Sequence, residues 1–316
     1  MRRALLLLGA LLAFAGPARA DGLPVLGIDV GPDGVAVGSA RYVALPAGGG
    51  RTMLARVSTR DGRVRAFRLL KGNLTVPAVA YDGTADGLAA DGHTLILIEP
   101  RASFPRKTTT LAVVDTRRLR LNRLVRLRGD FSFDAVSPTG RWAYLVEYTS
   151  PTDPTRYDVR ALSTATGRLA PRRIVDPRER GDKMRGNPLA RVSSADGRWA
   201  YTLYDGAGGT PFVHALDTSA RTARCIDLDV LAGREDLWRM RLSLSRDGTE
   251  LRVGRAASVD LSSFRVSAAS VGATRGTKVE LPWGVVAAAA LAVAGLLAVL
   301  LWRRRDALHA GRAVRG

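Results

Sequence analysis

Residues able to do acid–base or metal chemistry are few in this chain of 316 residues. It contains three histidines, His93, His214 and His309, and one cysteine, Cys225. One cysteine excludes an intrachain disulfide and a cysteine zinc site. The sequence also has no nucleophile elbow, no H-E-x-x-H pair, no phosphate-binding loop and no dinucleotide fingerprint. We therefore predict no catalytic residue, no metal and no cofactor.

The strand-like runs PFVHAL and RCI contain His214 and Cys225. We interpret His214 as a strand histidine whose hydrogen bonds are satisfied, and Cys225 as a small buried residue. Oxygen ligands for calcium are the remaining metal chemistry, with five acidic and amide candidates: Asp153, Asp158, Asp182, Asn187 and Asp205. Their spacing matches no ordered calcium loop, so we interpret them as solvated acids paired with the abundant arginines.

Five segments along the chain repeat one pattern, in which an apolar run, a glycine turn and an alternating strand follow one another. Their turn glycines stand roughly 50 residues apart: Gly34, Gly92, Gly140, Gly197 and Gly248. A tight Asp-Gly turn needs a positive φ, which glycine adopts at little cost. Each repeat supplies about four short strands, so the sequence predicts an all-β fold of five blades, with six as the alternative.

Two of the repeats, SPTGRWAYLVEY and SSADGRWAYTLY, resemble the repeat of WD-like, TolB-like and YVTN-type β-propellers. The strand ends Val114-Asp115-Thr116 and Leu216-Asp217-Thr218 are similar to the second half of that repeat. Thr139 stands where those repeats have Asp, and Ala195 where they have Pro. The resemblance covers most of residues 24–270. It implies a propeller but no particular function, because this fold carries enzymes, scaffolds and receptors.

Both ends of the chain are hydrophobic. Residues 1–20 have a charged start, a short apolar run and a small-x-small end, which is typical of a secretory signal peptide. Residues 282–302 are apolar and precede three arginines, and about 20 such residues cover the roughly 30 Å of a bilayer core. We predict an exported domain at 21–270, a linker at 271–281, one membrane helix at 282–302 and a cytoplasmic tail at 303–316.

Long, irregular connections are predicted on one face of the propeller, and tight turns on the other. In a four-stranded blade the second-to-third loops and the crossovers between blades share a face, and loops of that kind carry function. The candidate binding residues lie there: Arg101, Arg106, Lys107, Asp153, Arg156, Arg178, Arg180, Asp182, Lys183, Arg185 and Asp205. The abundance of arginine among them predicts an anionic ligand or a partner with an acidic edge.

The formal net charge of +19 is carried mainly by arginine, and the composition is typical of a GC-rich bacterial genome. An exported domain without a basic motif interleaved with aromatics is not expected to bind nucleic acid. The sequence favours a single-pass membrane protein whose exported propeller binds or scaffolds an envelope protein or an anionic polymer. It leaves open a lactonase-like propeller hydrolase and a sensor ectodomain.

Overall fold

Antiparallel sheets account for nearly all regular structure in the computed structural model, which describes residues 33–179, 181 and 184–269. Four sheets have four strands and one has three, each in simple sequential order. Blade 1 contains β1 (Val35–Val37), β2 (Ala40–Pro46), β3 (Arg51–Ser58) and β4 (Val64–Lys71). Blade 2 contains β5 (Thr94–Ile98), β6 (Thr108–Asp115) and β7 (Arg120–Arg128). Blade 3 contains β8 (Phe131–Val136), β9 (Trp142–Tyr148), β10 (Tyr157–Ser163) and β11 (Leu169–Ile174).

The last two blades complete the described sheets. Blade 4 contains β12 (Pro188–Ser193), β13 (Trp199–Tyr204), β14 (Phe212–Asp217) and β15 (Thr222–Asp227). Blade 5 contains β16 (Leu242–Leu244), β17 (Glu250–Val253), β18 (Ala257–Asp260) and β19 (Arg265–Ala268). Short 3-10 turns occupy Gly206–Gly208, Asp229–Leu231 and Leu237–Arg239. The fourth strand expected in blade 2 is reduced to two isolated bridges to β5, Leu88 with Leu95 and Thr75 with Ile98.

One turn device recurs between the first and second strands of blades 3, 4 and 5. A serine hydroxyl accepts from the backbone N–H five residues later, as Ser137 does from Trp142 at 3.0 Å. The backbone C=O of the same serine accepts from the turn glycine, and Gly140 has a φ of 68°. Ser194 and Ser245 form the same contacts. The short side-chain bond and the positive φ together explain why these positions are serine and glycine.

In blades 1 to 4 a threonine joins the glycine turn to the neighbouring turn of the same blade. Thr116 Oγ1 donates to the carbonyl of Gly92 at 2.5 Å, and Thr218 Oγ1 donates to that of Gly197 at 2.8 Å. In blade 1 the matching threonine, Thr59, lies against Gly38. Gly38 therefore occupies the turn between β1 and β2, and Gly34 precedes β1. The sequence pattern placed this turn at Gly34 because GPDG imitates the repeat more closely than VGSA does.

Apolar clusters join each blade to the next one along the chain, which is the packing of β-propeller blades. They lie between blades 1 and 2, 2 and 3, 3 and 4, and 4 and 5. Among the described residues, none joins blade 5 to blade 1. The outward face of blade 5 explains this, since its central row is polar: Ser243, Arg252, Ser258 and Ser267. The ring closure that the repeats predict is thus not made by an apolar seam within these ranges.

The connection from blade 1 to blade 2 crosses to the inner strand of blade 4; we call residues 75–84 the strap. Tyr81 N and Asp82 N donate to the carbonyls of Pro188 and Leu189 at 2.9 and 3.0 Å. The Tyr81 hydroxyl donates to Asn187 Oδ1 at 3.2 Å. The strap therefore binds together parts of the domain that are not adjacent blades.

The predicted signal peptide, linker, membrane helix and tail lie outside the described residues. Within 33–179, 181 and 184–269, no helix is long and apolar enough to cross a membrane.

Candidate functional site

Four long connections come together on one side of the blades, and we call this surface the loop face. They are the loops 99–107, 149–156 and 205–211, and the crossover 175–187 from blade 3 to blade 4. Gly186 N donates to Thr155 O at 3.3 Å, which joins the crossover to the blade 3 loop. The Phe104 and Tyr148 rings lie edge to face with centroids 5.4 Å apart. The crossover thus meets the 149–156 loop, and the 99–107 loop meets the end of β9.

Acidic residues of the loop face hold the loops in shape. Asp153 accepts from Thr155 N at 3.0 Å and from its hydroxyl at 2.6 Å, and these bonds lower the pKa of Asp153. Asp205 accepts from the backbone and side-chain nitrogens of Asn187 at 2.8 and 2.7 Å. Asp158 pairs with Arg173 at 2.9 Å. Asp153 and Asp205 therefore anchor loops, and Asp158 pairs between β10 and β11, so these three residues do not converge as calcium ligands.

Two of the predicted binding arginines are buried around one aspartate. Arg101 forms an ion pair with Asp130 at 2.7 Å, and both side chains are almost fully buried. Arg106 N donates to Asp130 Oδ2 at 2.9 Å, and its guanidinium lies 3.2 Å from the same carboxylate. Both arginines therefore fix the 99–107 loop and do not face a ligand. The sequence places Asp130 just before a strand and two arginines in the 99–107 loop, but it does not show that these side chains pair and are buried.

The remaining candidates differ in how much charge they present. Arg178 is exposed but bound to Asp176 at 2.6 Å, and Arg156 lies 3.8 Å from Asp153. Lys107 and Arg185 are exposed, and within the described ranges neither forms an ion pair. Arg180, Asp182 and Lys183 lie outside the described residues.

A cleft opens between blades 3 and 4 beneath the crossover, with a cavity volume of about 150 Å³. Its walls are apolar side chains of both blades, including Ile174 and Phe212, and Met184 of the crossover. Its rim carries charges of both signs: Asp158, Asp176, Glu179, Arg185 and Asp227. His214 and Cys225 line its interior. The cleft therefore combines an apolar wall, a mixed-charge rim and an imidazole.

One row of side chains crosses blade 4 from its inner to its outer strand and faces blade 3. The pairing of β12 to β15 aligns Arg191, Thr202, His214 and Cys225. The rows on either side are apolar and pack against blade 3, around Leu216 on one side and Phe212 on the other. The seam between blades 3 and 4 is thus divided by a polar row, which we call the polar row of blade 4.

Several atoms of this row are buried without a hydrogen-bond partner in the described part of the chain. They are Arg191 Nε and Nη1, Thr202 Oγ1, and both ring nitrogens of His214. His214 is only 1% exposed. Buried polar atoms are nearly always satisfied in proteins, so these atoms are available to hydrogen-bond a group that the described side chains do not supply.

Burial determines the protonation states of His214 and Cys225, which line the cleft. It lowers the pKa of His214 to about 4, so the imidazole is neutral at pH 7 and offers one donor and one acceptor. Burial raises the pKa of the Cys225 thiol to about 12, which leaves it un-ionised and unreactive. At the inner end, Arg191 forms a buried ion pair with Asp134. The row therefore offers neutral hydrogen-bonding groups and one paired charge.

No group of three histidine, cysteine, aspartate or glutamate residues within the described ranges could hold a metal ion. The expectation that His214 is hydrogen-bonded is wrong. A polar residue on the same face of all four strands of one blade was the available signal, but it requires the strand register, which the sequence alone did not supply.

Comparisons with known proteins concern the fold. The sequence matches no protein-family model and no curated protein. Similar solved structures include TolB from Acinetobacter baumannii, with 15% identity and a TM-score of 0.40 over 72% of this chain and 51% of that one. The Cps50 (Swd1) β-propeller domain of Myceliophteria thermophila has 13% identity and a TM-score of 0.41, over 74% and 72%. Kuenenia stuttgartiensis hydrazine synthase has 17% identity and a TM-score of 0.37, over 76% and 79%.

This chain spans about half the length of TolB. The description of the domain as propeller blades rests on its own sheet order and on the seams between its blades.

Proposed function

We propose that this protein is a membrane-tethered, exported binding module that takes a small polar group of its partner into the cleft between blades 3 and 4. The observation that carries the proposal is the buried, unpartnered imidazole of His214 on the interior of an open cleft. A neutral imidazole with a free donor and a free acceptor matches an amide or a hydroxyl group. The export and the tether are inferred from the two hydrophobic ends of the sequence.

The partner that fits best is a protein segment or a small organic molecule. Met184, Ile174 and Phe212 supply an apolar wall for its carbon skeleton, and pockets of this composition are typical of ligand sites. An extended anionic polymer would need a line of free cations. Most arginines of the described loop face are instead engaged with carboxylates, as Arg101, Arg106 and Arg178 are. The cleft therefore favours the protein or small-molecule partner over the polymer.

Neither the hydrolase nor the sensor alternative gains a specific supporting observation from the described residues. Two of the acidic side chains that calcium chemistry would need are bound to loop residues instead, Asp153 to Thr155 and Asp205 to Asn187. We therefore make one functional proposal.

Photo-crosslinking in native membranes tests it. Met184 in the full-length chain is replaced by p-benzoylphenylalanine, which places the reactive group in the cleft. Val230, which is 48% exposed and is not among the residues that line the cleft, is replaced in the same way as the matched control. We expect a specific adduct from position 184 and none from position 230, because only the first position contacts a bound partner.

A cleft-blocking variant completes the test. Thr210→Trp adds bulk at an exposed lining position and should abolish the adduct, while Thr59→Trp on the tight-turn side of blade 1 should leave it unchanged. An adduct that persists in Thr210→Trp, or that forms equally from position 230, would show that the partner binds elsewhere. A chain that gives no adduct from position 184 in membranes of its own source would also contradict the proposal.

A further inference from the structure

Blade 1 has an outward face, opposite blade 2, that is apolar and open to solvent; we call it the blade 1 outer face. The pairing of β2, β3 and β4 aligns Leu45, Met53 and Leu69 in one row and Val43, Ala55 and Phe67 in the next. The other side of the same strands packs on blade 2 through Tyr42, Leu54 and Leu70. The sheet is therefore apolar on both sides, although only one side has a blade against it.

The side chains of this face are exposed to a degree that is unusual for large apolar groups. Phe67 is 61% exposed, Val64 58%, Leu69 45% and Leu45 42%. Four of the seven large apolar residues exposed in the described part of the chain belong to this one face. Contiguous exposed apolar surface marks a site of interaction with protein or membrane.

The charge of blade 1 favours the membrane over a protein as the partner of this face. Residues 33–73 contain eight basic side chains and only two acidic ones, Asp33 and Asp61. Arg41, Arg51 and Lys71 border the apolar rows and are exposed, and none forms an ion pair within the described ranges. Arg65 pairs with Asp61 at 2.7 Å. An apolar surface bordered by unpaired cations has the composition of proteins that lie on anionic bilayers.

Blade 5 does not offer the matching surface. Its outward face carries Glu250, Arg252, Asp260 and Arg265 besides three serines. Packing that face on Phe67 and Leu69 would bury charged groups against hydrocarbon, at a large cost in free energy.

We propose that the blade 1 outer face rests on the surface of an anionic lipid bilayer. Phe67, Leu69 and Leu45 enter the headgroup region, and Arg41, Arg51 and Lys71 contact the lipid phosphates. This surface is separate from the cleft, so the proposal stands whether or not the cleft binds a partner. A tether at residues 282–302 would raise the local concentration of lipid but is not required.

A fluorescent label reports contact with lipid. Cys225 is the chain's only cysteine, so the full-length Cys225→Ser chain accepts one label at a chosen site. The label, NBD, is placed at Leu69→Cys on the blade 1 outer face and, as the matched control, at Arg246→Cys on an exposed turn of blade 5. Each chain is reconstituted with phosphatidylcholine vesicles containing or lacking phosphatidylglycerol, with a doxyl-lipid quencher in both.

We expect emission from position 69 to fall by about half in anionic vesicles, and to change little in phosphatidylcholine. Emission from position 246 should change in neither. The double variant Arg51→Glu/Lys71→Glu should lose the quenching at position 69, while Arg246→Glu/Arg255→Glu, an equal charge change on blade 5, should retain it. Unfolding midpoints in urea establish that each variant folds.

Three results would overturn the proposal. Absence of quenching at position 69 in anionic vesicles would show that the face does not touch lipid. Equal quenching at positions 69 and 246 would show contact without orientation. A blue shift at position 69 that depends on protein concentration and not on the quencher would assign the face to a second copy of the chain.

Discussion

At the scale of single residues, the buried imidazole of His214 couples stability to pH. Its pKa is about 4 in the folded chain and about 6.5 when exposed, so the unfolded chain takes up the proton first as the pH falls. The free energy of unfolding should therefore decrease between pH 6.5 and 4 and change no further from this group below pH 4. The expected size of this contribution is about 3 kcal/mol as an order of magnitude.

We predict that His214→Leu removes this part of the pH dependence. The measurement is the free energy of unfolding in urea at several pH values from 4 to 7, for the variant and the natural chain. The difference between them matters, because Asp86 titrates in an overlapping range. Burial raises the pKa of Asp86 to about 6. The contribution of Asp86 to the free energy of unfolding therefore falls as the pH rises from 4 to 6. A difference that is independent of pH would contradict the assignment of His214.

Asp130 offers a second test at this scale. Its carboxylate forms ion pairs with both Arg101 and Arg106, so Asp130→Ala removes a buried negative charge from beside two buried guanidinium groups. We expect a loss of about 3–5 kcal/mol in unfolding free energy. Exposed Asp247→Ala, on a tight turn of blade 5, is the control and should cost less than about 1 kcal/mol. Equal losses for the two variants would show that the buried cluster is not important for stability.

At the scale of elements, the glycine turns differ in what surrounds them. Gly140 and Gly248 have nearly the same φ, 68° and 71°, but a Cβ at Gly140 would overlap Thr94 of blade 2, while one at Gly248 meets open space. We predict that Gly248→Ala costs about 1 kcal/mol from backbone strain alone, and that Gly140→Ala costs about 3 kcal/mol because Thr94 must also move. Urea unfolding of both variants gives the comparison. Similar losses of unfolding free energy in the two variants would mean that Thr94 moves aside at little cost.

The same turns show how far the sequence could predict this fold. Ser137, Gly140 and the aspartate-threonine strand ends are local signals, because the hydrogen bonds that shape their turns lie within one blade. They were sufficient to predict four-stranded units of the right length. The turn at Gly38 was missed because two nearby glycines compete and only strand pairing decides between them. The burial of Arg101 and the polar row were missed because both depend on which side chains face a neighbouring blade.

At the scale of the whole molecule, the two hydrophobic ends give the clearest test of the predicted topology. An uncharged span followed by Arg303, Arg304 and Arg305 should place the C-terminus in the cytoplasm, because positive residues are retained there. We predict that a fluorescent protein active only in the cytoplasm, fused after Gly316, is bright, and that alkaline phosphatase at the same place is inactive. An active phosphatase there would reverse the orientation, and a chain extracted by salt alone would exclude a membrane span.

The strap constrains the order in which the domain can fold. Its side-chain and backbone contacts to blade 4 join residues 106, 107 and 109 positions apart in sequence. Contacts of such separation require a large loop to close and form late. A chain that emerges from its N-terminus can therefore complete the hairpins of blades 1 to 3 while the strap still lacks its partner strand. The strap therefore reaches its final position only after β12 has been synthesised, long after the strap itself.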